Sequence, residues 1–141
     1  MQNLLSFLNT ESMAQPRILL VEDCRFDVAL TKRLIEKYYS YSIIHYAKTK
    51  HDACACLLQH SYDVVLLDLG LPDSVSLREV VEDIKTLARE TPVIIVTGRQ
   101  TEDIVDQIKL YGANGIVEKN EIVGSDFSTV MHNAVNNMQA A

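Results

Sequence analysis

Tyr62-Asp63-Val64-Val65-Leu66-Leu67-Asp68 reads as a single strand, apolar almost throughout and closed by a carboxylate. A strand exposed on one face alternates polar and apolar residues, so an unbroken apolar run belongs inside a parallel sheet covered by helices on both sides. Two further runs share this character, Arg17 to Glu22 and Val93 to Thr97. Ser42-Ile43-Ile44-His45-Tyr46-Ala47 is mixed in polarity and Gly115-Ile116-Val117-Glu118 is short, which suits both to sheet edges.

Stretches of helical period separate these runs. Phe26 to Tyr38 and Thr49 to His60 supply two helices. Ser76-Leu77-Arg78-Glu79 has the form of a capping box; Leu77, Val80, Val81, Ile84, Leu87 and Ala88 follow as one buried stripe, with Thr91-Pro92 as the predicted stop. A fourth helix from Thr101 carries Ile104, Val105 and Ile108 and ends at Gly112, where a left-handed stop is natural. A fifth, from Ser125, would bury Phe127, Val130, Met131, Ala134, Val135 and Met138. Strand and helix alternate about five times, which predicts an α/β fold: a doubly wound, five-stranded parallel sheet with right-handed crossovers. Residues 1–15 read as an N-terminal extension, either a tail or a short amphipathic helix through Leu4, Leu5, Phe7 and Leu8, and residues 16–141 as one domain.

A chain of 141 residues with 48% hydrophobic and 23% charged residues suits one globular unit. Thirteen basic against nineteen acidic residues give a formal charge of -6, which argues against binding a nucleic-acid backbone directly. No apolar run approaches the roughly 20 residues that span a bilayer, and no basic residue precedes Arg17, as a secretory signal would require, so no membrane insertion and a cytoplasmic location are expected. Cys24, Cys54 and Cys56 are an odd number in an unremarkable spacing, which predicts no disulfide framework. His51, Cys54, Cys56 and His60 look like a metal set in the linear sequence, but at about 100° per residue they share no helix face. Ala53, Cys54, Leu57 and Leu58 share an arc expected to face the core.

Parallel strands end at one edge, so residues closing different strands gather there. Glu22 and Asp23, Asp68, Thr97 and Lys119 would share a pocket. Three adjacent carboxylates repel and call for a cation; oxygen ligands with several waters suit Mg²⁺ better than Ca²⁺. A metal with open positions can hold a phosphoryl oxygen beside Asp68, which makes that carboxylate capable of in-line attack. Thr97 as a hydroxyl donor and Lys119 as a point cation are the residue types that stabilise a transferring phosphoryl group from the other side. A lone Asp after a strand is ordinarily a turn former or a helix cap; complementary chemistry at four strand ends is what sets this one apart. Arg99 lies two residues past Thr97, at the pocket mouth or in solvent, and Cys24 reads as an ordinary loop cysteine.

From Pro16 to Met138 the chain resembles the receiver domain of bacterial two-component response regulators, of the stand-alone type. Ile18-Leu19-Leu20-Val21-Glu22-Asp23 resembles the first strand with its acidic pair, and Leu66-Leu67-Asp68-Leu69-Gly70-Leu71-Pro72-Asp73 the phosphoacceptor strand and loop. Val93-Ile94-Ile95-Val96-Thr97-Gly98 resembles the strand of the switch hydroxyl, and Gly112-Ala113-Asn114-Gly115-Ile116-Val117-Glu118-Lys119 the strand carrying the lysine. The resemblance implies a sheet of order 2-1-3-4-5. It implies phosphorylation of Asp68 by a histidine kinase or histidine phosphotransfer protein, and Mg²⁺ held by Asp23, Asp68 and the backbone carbonyl of Gly70, with Glu22 contributing directly or through water.

The same resemblance implies a domain that catalyses only its own Mg²⁺-dependent phosphorylation and dephosphorylation and is otherwise no enzyme. Output would pass to a separate downstream protein, along a phosphorelay, or through a phosphorylation-dependent homodimer. Thr97 would move toward the phosphoryl group, with Gly98 leaving space. Ile116 stands where the family has an aromatic switch residue, and Asn120 follows Lys119 where the family has proline. These two departures motivate an alternative reading, a receiver-shaped interaction module acting independently of phosphorylation. A flavin carrier fits poorly, since its phosphate would face the acidic Glu22-Asp23 loop, and an aspartyl phosphatase would place a second acid where Gly70 stands.

Overall fold

Strands β1 (Arg17–Val21), β2 (Ile43–Ala47), β3 (Val64–Asp68), β4 (Val93–Thr97) and β5 (Gly115–Glu118) pair in parallel in the order β2-β1-β3-β4-β5, as the resemblance implied. This arrangement is seen in a computed structural model that describes residues 15–98, 102–119 and 129–133. Helices α1 (Arg25–Tyr38), α2 (Lys50–Gln59), α3 (Leu77–Ala88) and α4 (Glu102–Leu110) connect the strands, and residues 129–133 are helical. The apolar runs that suggested central strands are those buried along nearly their whole length, β1, β3 and β4, whereas β2 and β5 are the partly exposed edges.

Each face of the sheet carries its own core. Ile18, Leu20, Leu66, Ile94 and Val96 pack with Leu34 and Ile35 of α1 and with Met131. Leu19, Val21, Leu67 and Ile95 pack on the other face with Ala53 of α2, Val80, Val81 and Ile84 of α3, and Ile108 of α4. Alternate residues of one strand thus serve opposite cores, which is why the central runs show no polar alternation. Gly115 marks a close approach, since a Cβ there would lie 2.9 Å from Val130 Cγ1.

The elements differ from the sequence reading mainly at their ends. Glu22 falls just beyond β1, although its N–H still donates to the Ala47 carbonyl at 2.9 Å. Tyr62 precedes β3; its hydroxyl lies 2.7 Å from His45 Nδ1 of β2. α3 stops at Ala88, ahead of Thr91-Pro92, because Arg89 turns to φ 57. Only half the expected capping box forms: Ser76 Oγ accepts the Glu79 N–H at 3.1 Å, while the Glu79 carboxylate pairs with Lys50 of α2. Leu58, expected in the core, is 73% exposed, while Cys54 is half-buried and, with Cys56 and Leu57, packs against the core from the partly exposed side of α2.

Gly112 does end its segment with φ 114. Residues 1–14, Arg99, Asn120, Phe127, Ala134, Val135 and Met138 lie outside the described residues. Among those described, no helix is long and apolar enough to cross a membrane.

Candidate functional site

The register of the central strands assembles the site. Val21 pairs with Leu67 and Asp68 with Val96, so Glu22, one residue past β1, stands level with Asp68 at the end of β3. Glu22, Asp23 and Asp68 each offer a carboxylate oxygen within 4.8 Å of the others. Glu22 and Asp68 are buried and Asp23 is exposed, so the group opens to solvent on the Asp23 side.

Lys119 follows β5 and reaches back over this cluster. Its Nζ lies 2.9 Å from Glu22 Oε2, 2.8 Å from Asp27 Oδ2 and 3.3 Å from Asp68 Oδ1. An ammonium has three hydrogens, and here three carboxylates face it. The other Glu22 oxygen accepts the Cys24 N–H at 3.2 Å, so both oxygens of this buried group are engaged. Burial pushes the Glu22 carboxyl up to about 7; the Lys119 hydrogen bond works against that rise and the neighbouring Asp68 charge adds to it. Burial also opposes the charge on Lys119, but hydrogen bonds to Asp27 and Glu22 and the Asp68 charge outweigh it, holding the ammonium above its ordinary value.

Thr97 closes β4, is buried, and pairs in register with Glu118, the residue before Lys119. Next to it Gly98 is exposed, and among the described residues a Cβ there would meet nothing within 4 Å. Ile116 pairs with Ile95 and packs against the apolar cluster of the α2–α4 face. Gly70 lies close to the carboxylate that precedes it, its Cβ position 3.6 Å from Asp68 Oδ2. Cys24 is the exposed N-cap of α1, with no cap hydrogen bond from its side chain.

Two participants escaped the sequence reading. Asp27 sits in the first turn of α1, and a reading confined to strand ends passes over it; the signal was there, since the helix after β1 opens at the same edge of the sheet. Asp73 braces the loop after β3 by accepting the Lys50 N–H at 2.8 Å and the His51 N–H at 3.0 Å, which ties that loop to the start of α2. Lys50 Nζ adds ion pairs to Glu79 and Asp83 of α3. His51 is thereby part of a helix start, while His45 and His60 are the histidines whose rings meet, with centroids 5.0 Å apart.

The donor set at the sheet edge consists of oxygens, two of them on buried carboxylates that also meet the Lys119 ammonium, and it fits a hard divalent cation approaching from the Asp23 side. A carboxylate held between such a cation and an ammonium can act as a nucleophile toward an anionic electrophile.

The sequence matches the response regulator receiver domain family over residues 18–124. Among curated proteins it is similar to the autoinducer 2 sensor kinase/phosphatase LuxQ of Vibrio parahaemolyticus, 29% identical over 103 residues that make up 73% of this chain; the match spans 12% of that protein's length. Among solved structures it is similar to the signal receiver domain of a putative Luxo repressor protein from Vibrio parahaemolyticus, at 25% identity and a TM-score of 0.71, covering 89% of this chain and 97% of that one. It is also similar to the Mn²⁺-bound form of response regulator Rcp1, at 24% identity and a TM-score of 0.64, covering 86% of this chain and 90% of that one.

Proposed function

The chain belongs to the response regulator receiver domain family, and from that premise we propose that it accepts a phosphoryl group on Asp68 and relays that state through protein contacts. The observation carrying this reading is the placement of the Asp68 carboxylate, buried at a strand end, 3.3 Å from Lys119 Nζ and grouped with Glu22 and Asp23. An Asp68 oxygen attacks phosphorus, the P–O bond forms as the bond to the donor breaks, and a donor imidazole leaves carrying a proton. Lys119 offsets the charge of the incoming group, and the Thr97 hydroxyl donates to a second phosphoryl oxygen.

Asp23, Asp68 and the Gly70 carbonyl would hold Mg²⁺, with Glu22 assisting directly or through water. Bound there, the cation neutralises phosphoryl oxygens and lowers the repulsion between nucleophile and electrophile. The Mn²⁺ described for the Rcp1 neighbour supports a divalent cation in a fold of this kind. The donor is a histidine kinase or histidine phosphotransfer protein, and the recipient of the signal is a separate protein or a second copy of the chain. The reaction modifies the domain itself, so the protein is not an enzyme acting on other substrates. Ile116 supplies no aromatic reporter, which leaves Thr97 as the moving part.

Borohydride converts an acyl phosphate to the alcohol, so reduction after treatment with acetyl phosphate and Mg²⁺ tests the site directly. Peptide mapping is expected to find homoserine at position 68. Homoserine at another aspartate, or none anywhere, would refute the assignment.

A further inference from the structure

We propose that Asp27 is a positioning residue for Lys119, fixing its ammonium so that one N–H points at the Asp68 oxygen where the phosphoryl group is to sit; this rests on the reading of Asp68 as phosphoacceptor. A lysine ammonium is a point charge on a flexible four-carbon stem, and it aims at nothing unless other groups hold it. Here the two shortest contacts are to Asp27 at 2.8 Å and Glu22 at 2.9 Å, and the third, to Asp68, is longer at 3.3 Å. Two carboxylates thus take two of the three hydrogens and direct the remaining one toward the nucleophile.

Lys119 lies just past the end of β5, which among the described residues is an edge strand paired with β4, and the next residue in sequence is asparagine where a proline would have restricted the backbone. Asp27 comes from α1, 92 residues away in sequence, and clasps the lysine from across the sheet edge. It sits in the first turn of the 14-residue helix α1.

Asp27 is also separate from the candidate metal ligands. Among the described residues the carboxylates close enough to share one cation are Glu22, Asp23 and Asp68, and Asp27 is outside that set. The geometry therefore divides the acids into a cation side and an ammonium side, with Glu22 and Asp68 contributing to both and Asp27 to the ammonium alone. Losing Asp27 should weaken the hold on the phosphoryl group while leaving the cation in place.

The test uses beryllofluoride, a phosphoryl analogue, titrated calorimetrically in saturating Mg²⁺ against the full chain and its Asp27→Ala, Asp27→Asn and Asp27→Glu variants, with Mg²⁺ affinity measured separately. Asp27→Ala is expected to weaken beryllofluoride binding about tenfold, the scale of one charge-assisted hydrogen bond, with Mg²⁺ affinity changed by less than about twofold. Asp27→Asn, nearly isosteric and so safe for folding, should fall between Ala and wild type, and Asp27→Glu should recover most of the loss. Beryllofluoride binding unchanged in both Ala and Asn variants would overturn the inference while the phosphoacceptor reading stood. A parallel fall in Mg²⁺ affinity would overturn it in favour of a role at the metal. No binding by the wild type, or binding that survives Asp68→Asn, would remove the premise and the inference together.

Discussion

Glu22 carries two burdens, as partner of Lys119 and as a carboxylate 4% exposed beside Asp68. Burial pushes its carboxyl from the usual 4.5 to about 7, so between those values the folded protein holds a proton that the unfolded chain has released. Stability of the metal-free protein is therefore expected to fall as pH rises through that window. Lys119 contributes stability that is fully present below the usual lysine value of 10.5, so it adds no slope at neutral pH. Thermal unfolding in chelator from pH 5 to 8 checks this, and Glu22→Gln should flatten the profile. At this scale the sequence was informative about strand-end residues, because Glu22, Asp23, Asp68, Thr97 and Lys119 all close apolar runs whose common edge follows from parallel pairing. Asp27 was not legible by that rule, because its place depends on the direction in which α1 leaves the sheet.

The elements hold the loops of the site through a few polar ties. Asp73 occupies two N–H groups at the start of α2, and Thr49 Oγ1 accepts a third from Asp52 at 3.0 Å. Asp73→Ala, which removes the acceptor of two N–H groups at the start of α2, is expected to lower the urea unfolding midpoint, and Asp73→Asn to lower it less. Gly115→Ala would drive a methyl to 2.9 Å from Val130 and should cost about 1–3 kcal/mol by overpacking, seen as a lower midpoint without a change in denaturant slope. Central strands were readable because both faces are buried. Helix ends were less so: Arg89, not Pro92, stops α3, and a positive φ at arginine leaves no mark in the sequence. Leu58 misled because it sits at the margin of the apolar arc: Leu57 beside it packs against the core while Leu58 is exposed.

Across the whole molecule, the parallel sheet concentrates acidic groups at one edge of a chain already carrying a net charge of -6, and a divalent cation bound there would relieve that concentration. Mg²⁺ should accordingly raise the melting temperature by mass action, about 2.7 kcal/mol at a hundredfold excess over its dissociation constant, and Asp23→Asn should remove most of the effect. The order β2-β1-β3-β4-β5 followed from the resemblance, whereas local patterning alone gave the layers and the two edge strands. The central claim is that this edge makes Asp68 a phosphoacceptor. Its most direct measurement is the intact mass after brief incubation with acetyl phosphate, with and without Mg²⁺, in wild type and Asp68→Asn. One phosphoryl increment that requires Mg²⁺ and vanishes in the variant is the expected result; an increment that persists in Asp68→Asn, or none in rapidly quenched wild type with Mg²⁺ present, would contradict it.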